Sequence, residues 1–260
     1  MILNYLNQKI ELIIPQTTRR LKPEILKDLY ENYSLDVIQE ASFKFKTPEN
    51  MEDKKVNTIG IWMSGGADSS FLTYMLCKKI KEENLNVKLQ PMSSRRGRPW
   101  NPVYAGNVID WIVDELKIDF MLDHIIYYPD INDEHLRETK IFWDKDGENF
   151  RDDIFQVLYS GITCNPPDDA GLEKNKERSR DVGVEKPIDV NCGMRHYMNP
   201  FFAINKKWLA NGYQQEGVLD TLFPLTRSCE GSDYETGNFT FHCGKCWWCI
   251  ERQWAFGRLI

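Results

Sequence analysis

The stretch Asn57-Thr58-Ile59-Gly60-Ile61-Trp62-Met63-Ser64-Gly65-Gly66-Ala67-Asp68-Ser69-Ser70 decides the fold. Its apolar first half predicts a buried strand over 57–63. The run Phe71-Leu72-Thr73-Tyr74-Met75-Leu76 predicts a helix, roughly 68–83, directly after it. Between the two, glycines let the backbone come close to an anion and accept positive φ. Successive N–H groups and the helix dipole then form a nest that suits phosphate. Ser64, Ser69 and Ser70 add hydroxyl donors. The competing reading is a plain strand-to-helix turn with Asp68 as N-cap. That reading accounts for Asp68 but not for two glycines and three serines. No Lys-Ser or Lys-Thr follows the second glycine, so this is not a Walker loop.

Outward from the loop, strand-like and helix-like segments alternate. Val87–Met92 reads as a strand, Tyr104–Leu116 as a helix and Phe120–Tyr128 as a third strand. A helix is expected within 132–153 and a fourth strand over Ile154–Gly161. A last helix is expected over Asn205–Gln215, with Asn205 as N-cap. This order predicts an α/β fold with a parallel, doubly wound sheet. Ligands in such sheets bind beyond the C-terminal strand ends, at the switch in strand order. The glycine loop, Ser93–Trp100 and Gly161–Asp168 should therefore meet at one crevice. The polar run 170–187 reads either as a solvated loop or as a lid over that crevice. Upstream, Pro23 marks a helix start in an N-terminal extension.

The chain has 260 residues, 42% of them hydrophobic, which suffices for a sizeable core. Its net charge of −6 argues against direct nucleic-acid binding. The opening Met1–Lys9 lacks a long apolar core, and no apolar run reaches membrane-spanning length. A cytoplasmic protein is expected.

Seven cysteines are present. Four of them, Cys229, Cys243, Cys246 and Cys249, gather near the end in two overlapping C-x-x-C steps plus one upstream thiol. Four thiolates without an open position describe a structural zinc site. A redox C-x-x-C pair and an iron–sulfur centre are the rivals. His242 reads as a neighbour of the cluster, since four thiols suffice; the alternative is that it displaces one cysteine. Cys77, Cys164 and Cys192 read as small buried residues, with a reactive role open for Cys164 beside the crevice.

The Ser64–Ser69 stretch resembles the Ser-Gly-Gly-x-Asp-Ser loop of the PP-loop ATP pyrophosphatases. The C-terminal Ser228-Cys229, Cys243-Gly244-Lys245-Cys246-Trp247-Trp248-Cys249 and Arg252 to Ala255-Phe256 resemble the 7-cyano-7-deazaguanine synthases of queuosine biosynthesis. Asn199-Pro200-Phe201-Phe202-Ala203-Ile204-Asn205-Lys206 is similar to that family's Pro-Leu-x-x-x-Ser-Lys helix start. The chain departs at Ser93–Trp100 and Gly161–Asp168, where the family carries its Tyr-Gly-Gln-Arg-His and Tyr-Pro-Asp-Cys-Arg elements. ATP use and the metal knot therefore carry over, and the base-recognition residues do not.

The resemblance implies a ligase that splits ATP between the α- and β-phosphates, with magnesium bridging the phosphates. The expected acceptor is a carboxylate, 7-carboxy-7-deazaguanine, which then reacts with ammonia. ATP is expected on Met63, Ser64, Gly65, Gly66, Ala67, Asp68, Ser69, Ser70 and Met92. Asp68 is expected to help hold magnesium, and Lys206 to face phosphate or an oxyanion. Arg95, Arg96 and Arg98 are candidates for phosphate or substrate carboxylate; the alternative is a solvated basic turn. The implied organisation is an extension over 1–55, an ATP-binding domain over 56–225 and a zinc element over 226–260. A homodimer is among the assemblies this reading allows. The rival functions are a tRNA-modifying PP-loop enzyme, an adenylyl-sulfate reductase, and a nucleotide-binding or conjugation module that acts with a partner protein.

Overall fold

The computed structural model describes residues 1–32, 47–95, 100–127, 154–172, 180, 189–191 and 196–260. Arg96, Arg98, Cys192, the expected helix within 132–153 and most of the polar run 170–187 lie outside them.

The chain begins with an antiparallel hairpin, β1 (Ile2–Tyr5) and β2 (Gln8–Glu11). Leu6 and Asn7 turn it at φ 49° and 60°, the sign that a two-residue type I′ turn requires at both positions. Strand alternation buries Leu3 and Tyr5 and exposes Ile2 and Asn4. A second antiparallel pair, β3 (Thr17–Leu21) and β4 (Met51–Lys55), packs Leu21 and Met51 against Ile25 and Leu29 of α1 (Pro23–Asn32).

Among the described residues the central sheet has six strands. β5 (Thr58–Trp62) lies parallel to β6 (Lys88–Ser94), and β6 to β7 (Ile125–Tyr127). On the other side β5 pairs in parallel with β8 (Val157–Tyr159). β9 (Asp189–Asn191) is an antiparallel edge on β10 (His196–Met198), which itself runs parallel to β8. The order β7-β6-β5-β8-β10-β9 runs outward in both directions from the β5/β8 boundary. That boundary is the switch point where such sheets hold ligands. The parallel α/β fold expected from the sequence is the fold observed.

Side chains alternate along the strands as the pleat demands. Ile59, Ile61, Val157 and Tyr159 enter the large core, while Trp62 and Leu158 join a smaller cluster with Met92 and Phe155. The large core is filled by Phe71, Leu72 and Leu76 of α2 (Ala67–Glu82), and by Val108 and Ile112 of α3 (Asn101–Leu116). Trp208 and Leu209 of α4 (Lys206–Gln215) join them. The first hairpin seals the same core through Leu3, Tyr5 and Leu12. Asn205 caps α4 as its side-chain oxygen accepts from Lys207 N.

Three boundaries differ from the sequence expectation. α3 starts a turn earlier, with Pro102 in the first turn where its missing N–H costs nothing. Among the described residues the third strand covers Ile125–Tyr127, with a single bridge between Leu89 and Met121 before it. There the Gln90 side chain, at 2.6 Å, takes the Asp123 carbonyl that a ladder would use. The fourth strand begins only at Val157, because the Gln156 side chain accepts from Asn57 N and Thr58 N at its start.

Candidate functional site

The glycine loop leaves β5 at the switch point and enters α2. Gly65 sits at φ 71°, and a Cβ there would lie 2.6 Å from Cβ of Tyr104. Only glycine satisfies both conditions. Gly161, just after β8, brings its Cα so near α2 that a Cβ would stand 2.8 Å from the Asp68 carbonyl oxygen. The glycine loop and the 161–168 segment therefore meet, as the strand order predicts.

The loop's own hydroxyls cross it. Ser64 N donates to Ser69 Oγ and Gly66 N to Ser64 Oγ, each at 3.3 Å. These are long bonds that an incoming phosphate oxygen can replace. Ser70 behaves differently. It is fully buried, and its hydroxyl donates to the Gly66 carbonyl at 2.8 Å. Its role here is to brace the first turn of α2. Met63 and Ala67 are buried beside the loop. Met92 meets the loop through its carbonyl, which accepts Met63 N at 2.8 Å, while its side chain packs with Phe155 and Leu158 on the sheet.

Behind the loop lies a buried charge network. Lys206 Nζ reaches both oxygens of Asp68, at 2.7 and 2.6 Å, and Glu251 Oε2 at 3.3 Å. Arg180 Nη2 pairs with Glu251 Oε1 at 2.6 Å and donates to Thr163 Oγ1 at 3.0 Å. Thr163 Oγ1 in turn donates to Asp68 Oδ2 at 3.0 Å. Two carboxylates and two cations thus neutralise one another in the interior, the condition under which buried charge is tolerated. The sequence expectation had Asp68 help hold magnesium. In this structure Asp68 is committed to Lys206 and Thr163, so direct magnesium contact requires Lys206 to give way. Lys206 is itself buried beneath the loop. Sequence reasoning missed Arg180, Thr163 and Glu251. The adjacent charged pair Glu251-Arg252 inside an aromatic-rich helix was the available signal.

The four expected cysteines come together. Their sulfur atoms all lie within 4.8 Å of one another, with Cys243 and Cys249 at 3.9 Å. A tetrahedral ion with bonds of about 2.3 Å sets its thiolates ~3.8 Å apart, so the donor set fits one ion. Backbone N–H groups aim at the sulfurs: Gly231 N and Cys243 N at Cys229, and Cys246 N at Cys243, each at 3.3 Å. The Cys246 thiol is pushed down to about 4, chiefly by its hydrogen bond with Cys249. Cys249 is pushed up by the same bond and Cys229 by burial. His242 Nδ1 stands 3.8 Å from Cys249 Sγ, and burial pushes its pKa down to about 3. It is a neutral neighbour of the cluster. Cys246 caps α5 (Trp247–Phe256), and Cys249 lies in its first turn.

The other candidates are placed as follows. Arg95 is exposed at the end of β6, and its N–H donates to the Tyr127 carbonyl. Cys164 is buried and its thiol is pushed up to about 11 by burial, which describes an inert thiol rather than a nucleophile. Trp100 stacks on Phe239 with centroids 4.0 Å apart. Trp247 and Trp248 flank the Arg180 guanidinium at 5.3 and 5.5 Å.

Fold and sites together define a parallel α/β protein with a glycine-serine loop at its switch point and a C-terminal four-cysteine cluster able to hold a metal ion. No family model matches the chain, and no curated protein matches its sequence. Among solved structures it is similar to the U34-tRNA thiolase NcsA from Methanococcus maripaludis with its 4Fe-4S cluster. Identity there is 13% over 90% of this chain and 78% of that one, with a TM-score of 0.41. No described helix is long and apolar enough to cross a membrane.

Proposed function

We propose that the protein cleaves ATP between the α- and β-phosphates and transfers the AMP portion to an acceptor oxygen. The observation that carries this is the loop itself: a glycine at φ 71° opening a helix at the switch point, with only long, replaceable hydrogen bonds across it. The Ser64 and Ser69 hydroxyls and the N–H groups at the start of α2 hold the departing pyrophosphate. Lys206, released from one Asp68 oxygen, faces the charge that develops on the phosphate. Magnesium, when bound, neutralises the leaving pyrophosphate. Catalysis rests on positioning and charge, and no protein nucleophile takes part.

The acceptor this reading favours is the carboxylate of 7-carboxy-7-deazaguanine. Its oxygen attacks the α-phosphorus, the bond to the β-phosphate oxygen breaks, and pyrophosphate leaves. Ammonia then attacks the acyl carbon, AMP leaves with the former carboxylate oxygen, and an amide remains. A second ATP activates the amide oxygen, and loss of AMP and two protons gives the nitrile. Cys164 is buried, and burial pushes its thiol up to about 11, so Cys164 itself is poorly suited to carry sulfur. In the knot, zinc held by Cys229, Cys243, Cys246 and Cys249 serves as a structural ion.

A second reading is a tRNA-modifying enzyme with the same ATP step, the kind of activity named for the archaeal structure. The four-cysteine donor set also suits iron–sulfur chemistry. One experiment separates the readings. The metal-loaded protein is incubated with magnesium and ATP and either 7-carboxy-7-deazaguanine with ammonium or unmodified tRNA with sulfide. AMP and pyrophosphate together with a nitrile product are expected in the first mixture. Thiolated tRNA in the second would establish the other acceptor. ADP and phosphate in both would overturn the ATP step.

A further inference from the structure

The metal knot and the glycine loop are joined at two points. On one side, Arg227 N donates to the Gly65 carbonyl at 2.7 Å, and metal ligand Cys229 follows two residues later. Ser228, between them, stands against the loop: a Cβ on Gly66 would lie 3.3 Å from its Oγ. On the other side, α5 starts on Cys246 and carries Glu251 into the buried network, where it holds Arg180 and shares Lys206 with Asp68. The neighbouring Arg252 ties α5 to Thr226, through Oγ1 at 2.9 Å and the carbonyl at 3.2 Å, one residue before the Arg227 clasp. Glu251 and Arg252 are almost fully buried.

These contacts give Glu251 a defined task. Asp68 faces the Lys206 ammonium, and the Arg180 guanidinium lies one hydroxyl away, at Thr163. Glu251 takes Arg180 and part of Lys206, so the Lys206 ammonium is divided between two carboxylates. Without the Glu251 charge, both cations have Asp68 as their remaining carboxylate in this network. Lys206 would then be held away from the loop, and the start of α2 would be pulled with it.

We propose that the four-cysteine knot is a working part of the nucleotide site, with Glu251 as the positioning residue that transmits its geometry to Asp68, Lys206 and Gly65. The inference rests on reading the loop as a nucleotide site, and its test separates the two. Amide hydrogen exchange is followed on the loop (64–70) and on the central strand (57–63). The samples are the zinc-loaded protein, protein stripped by a chelator under reducing conditions, and zinc-loaded E251Q. Equilibrium dialysis with magnesium and ATP is run on the loaded samples, with Gln253→Ala, exposed on the same helix, as control. Stripping is expected to speed exchange in the loop while the strand stays protected. E251Q is expected to keep its zinc, speed loop exchange and weaken ATP binding about tenfold or more, as loss of a supporting partner does around bound ions. Gln253→Ala should bind as the wild type does. If stripping unfolds the strand as well, E251Q decides the matter, since it keeps all four thiols. E251Q with wild-type loop exchange and wild-type ATP affinity overturns the inference and leaves the nucleotide reading standing. A loaded wild type that binds no ATP overturns both.

Discussion

Gly65 and Lys206 carry the sharpest consequences at the scale of single residues. Gly65→Ala forces a side chain into left-handed backbone, at about 1–2 kcal/mol, and against Tyr104 Cβ besides. The expected result is a lower melting temperature and loss of ATP binding in dialysis, and wild-type binding would refute the role given to the loop. Lys206→Met leaves Asp68 and Glu251 facing each other without their shared cation. Breaking a buried pair in this way typically costs about 3–5 kcal/mol, which a urea titration resolves. Gly65 was legible because it lies in a glycine turn between a strand and a helix, and Lys206 was singled out by its match to a family helix-start motif. Glu251 and Arg180 were not, because their meaning comes from pairing across 71 residues, and no local pattern records that. Ser70 illustrates the opposite error: a hydroxyl in the right stretch whose direction, set by the helical turn, points it at the Gly66 carbonyl.

Among the elements, α5 and the loop before it depend on the cysteines. Cys246→Ser removes a metal ligand at the position that opens α5. The expected outcome is a fall from about one zinc per chain to well below it by elemental analysis, with lower solubility. Full zinc content in that variant would show that the remaining ligands suffice. The end of β6 meets a half-buried histidine whose charging is opposed by burial. His124 Nε2 lies 2.7 Å from Ser93 Oγ, which donates to the Met63 carbonyl at 2.6 Å, so the ring donates its proton to the serine. Burial lowers the ring's pKa. The unfolded chain, with an ordinary value of about 6.5, then binds more protons than the folded one below that pH. The stability held at neutral pH is lost as pH falls through the folded value. Melting temperature should drop from about pH 7.5 to about 5.5, and His124→Gln should reduce that drop. The helices and β5 were legible because apolar periodicity runs through them. The third strand was overread because Phe120–Tyr128 is apolar enough for a strand, yet the Gln90 side chain interrupts its ladder.

At the scale of the whole molecule, the first hairpin is part of the core and not an appendage. Tyr5 sits edge-on to Trp208 at 4.6 Å and donates to Glu216 at 2.7 Å, and Leu12 is completely enclosed. Leu12→Ala should cost about 2–5 kcal/mol in denaturant unfolding; a change within error would mean that the hairpin docks loosely. The hairpin itself was not legible, since four-residue strands joined by Leu6-Asn7 lack the Asn-Gly or Asp-Gly signal of such turns. β9 and β10 escaped notice for a related reason, as three-residue strands are too short to show alternation. The parallel sheet and its switch point were readable because the strand–loop–helix order repeats along the chain. One further property follows from the two indoles at right angles, 5.0 Å apart, that open α5 between the thiols and the Arg180 guanidinium. Thiolates and cations both quench indole emission. This corner therefore equips the protein with a built-in fluorophore pair, whose brightness and colour should report on ion loading and on nucleotide arrival without any attached dye.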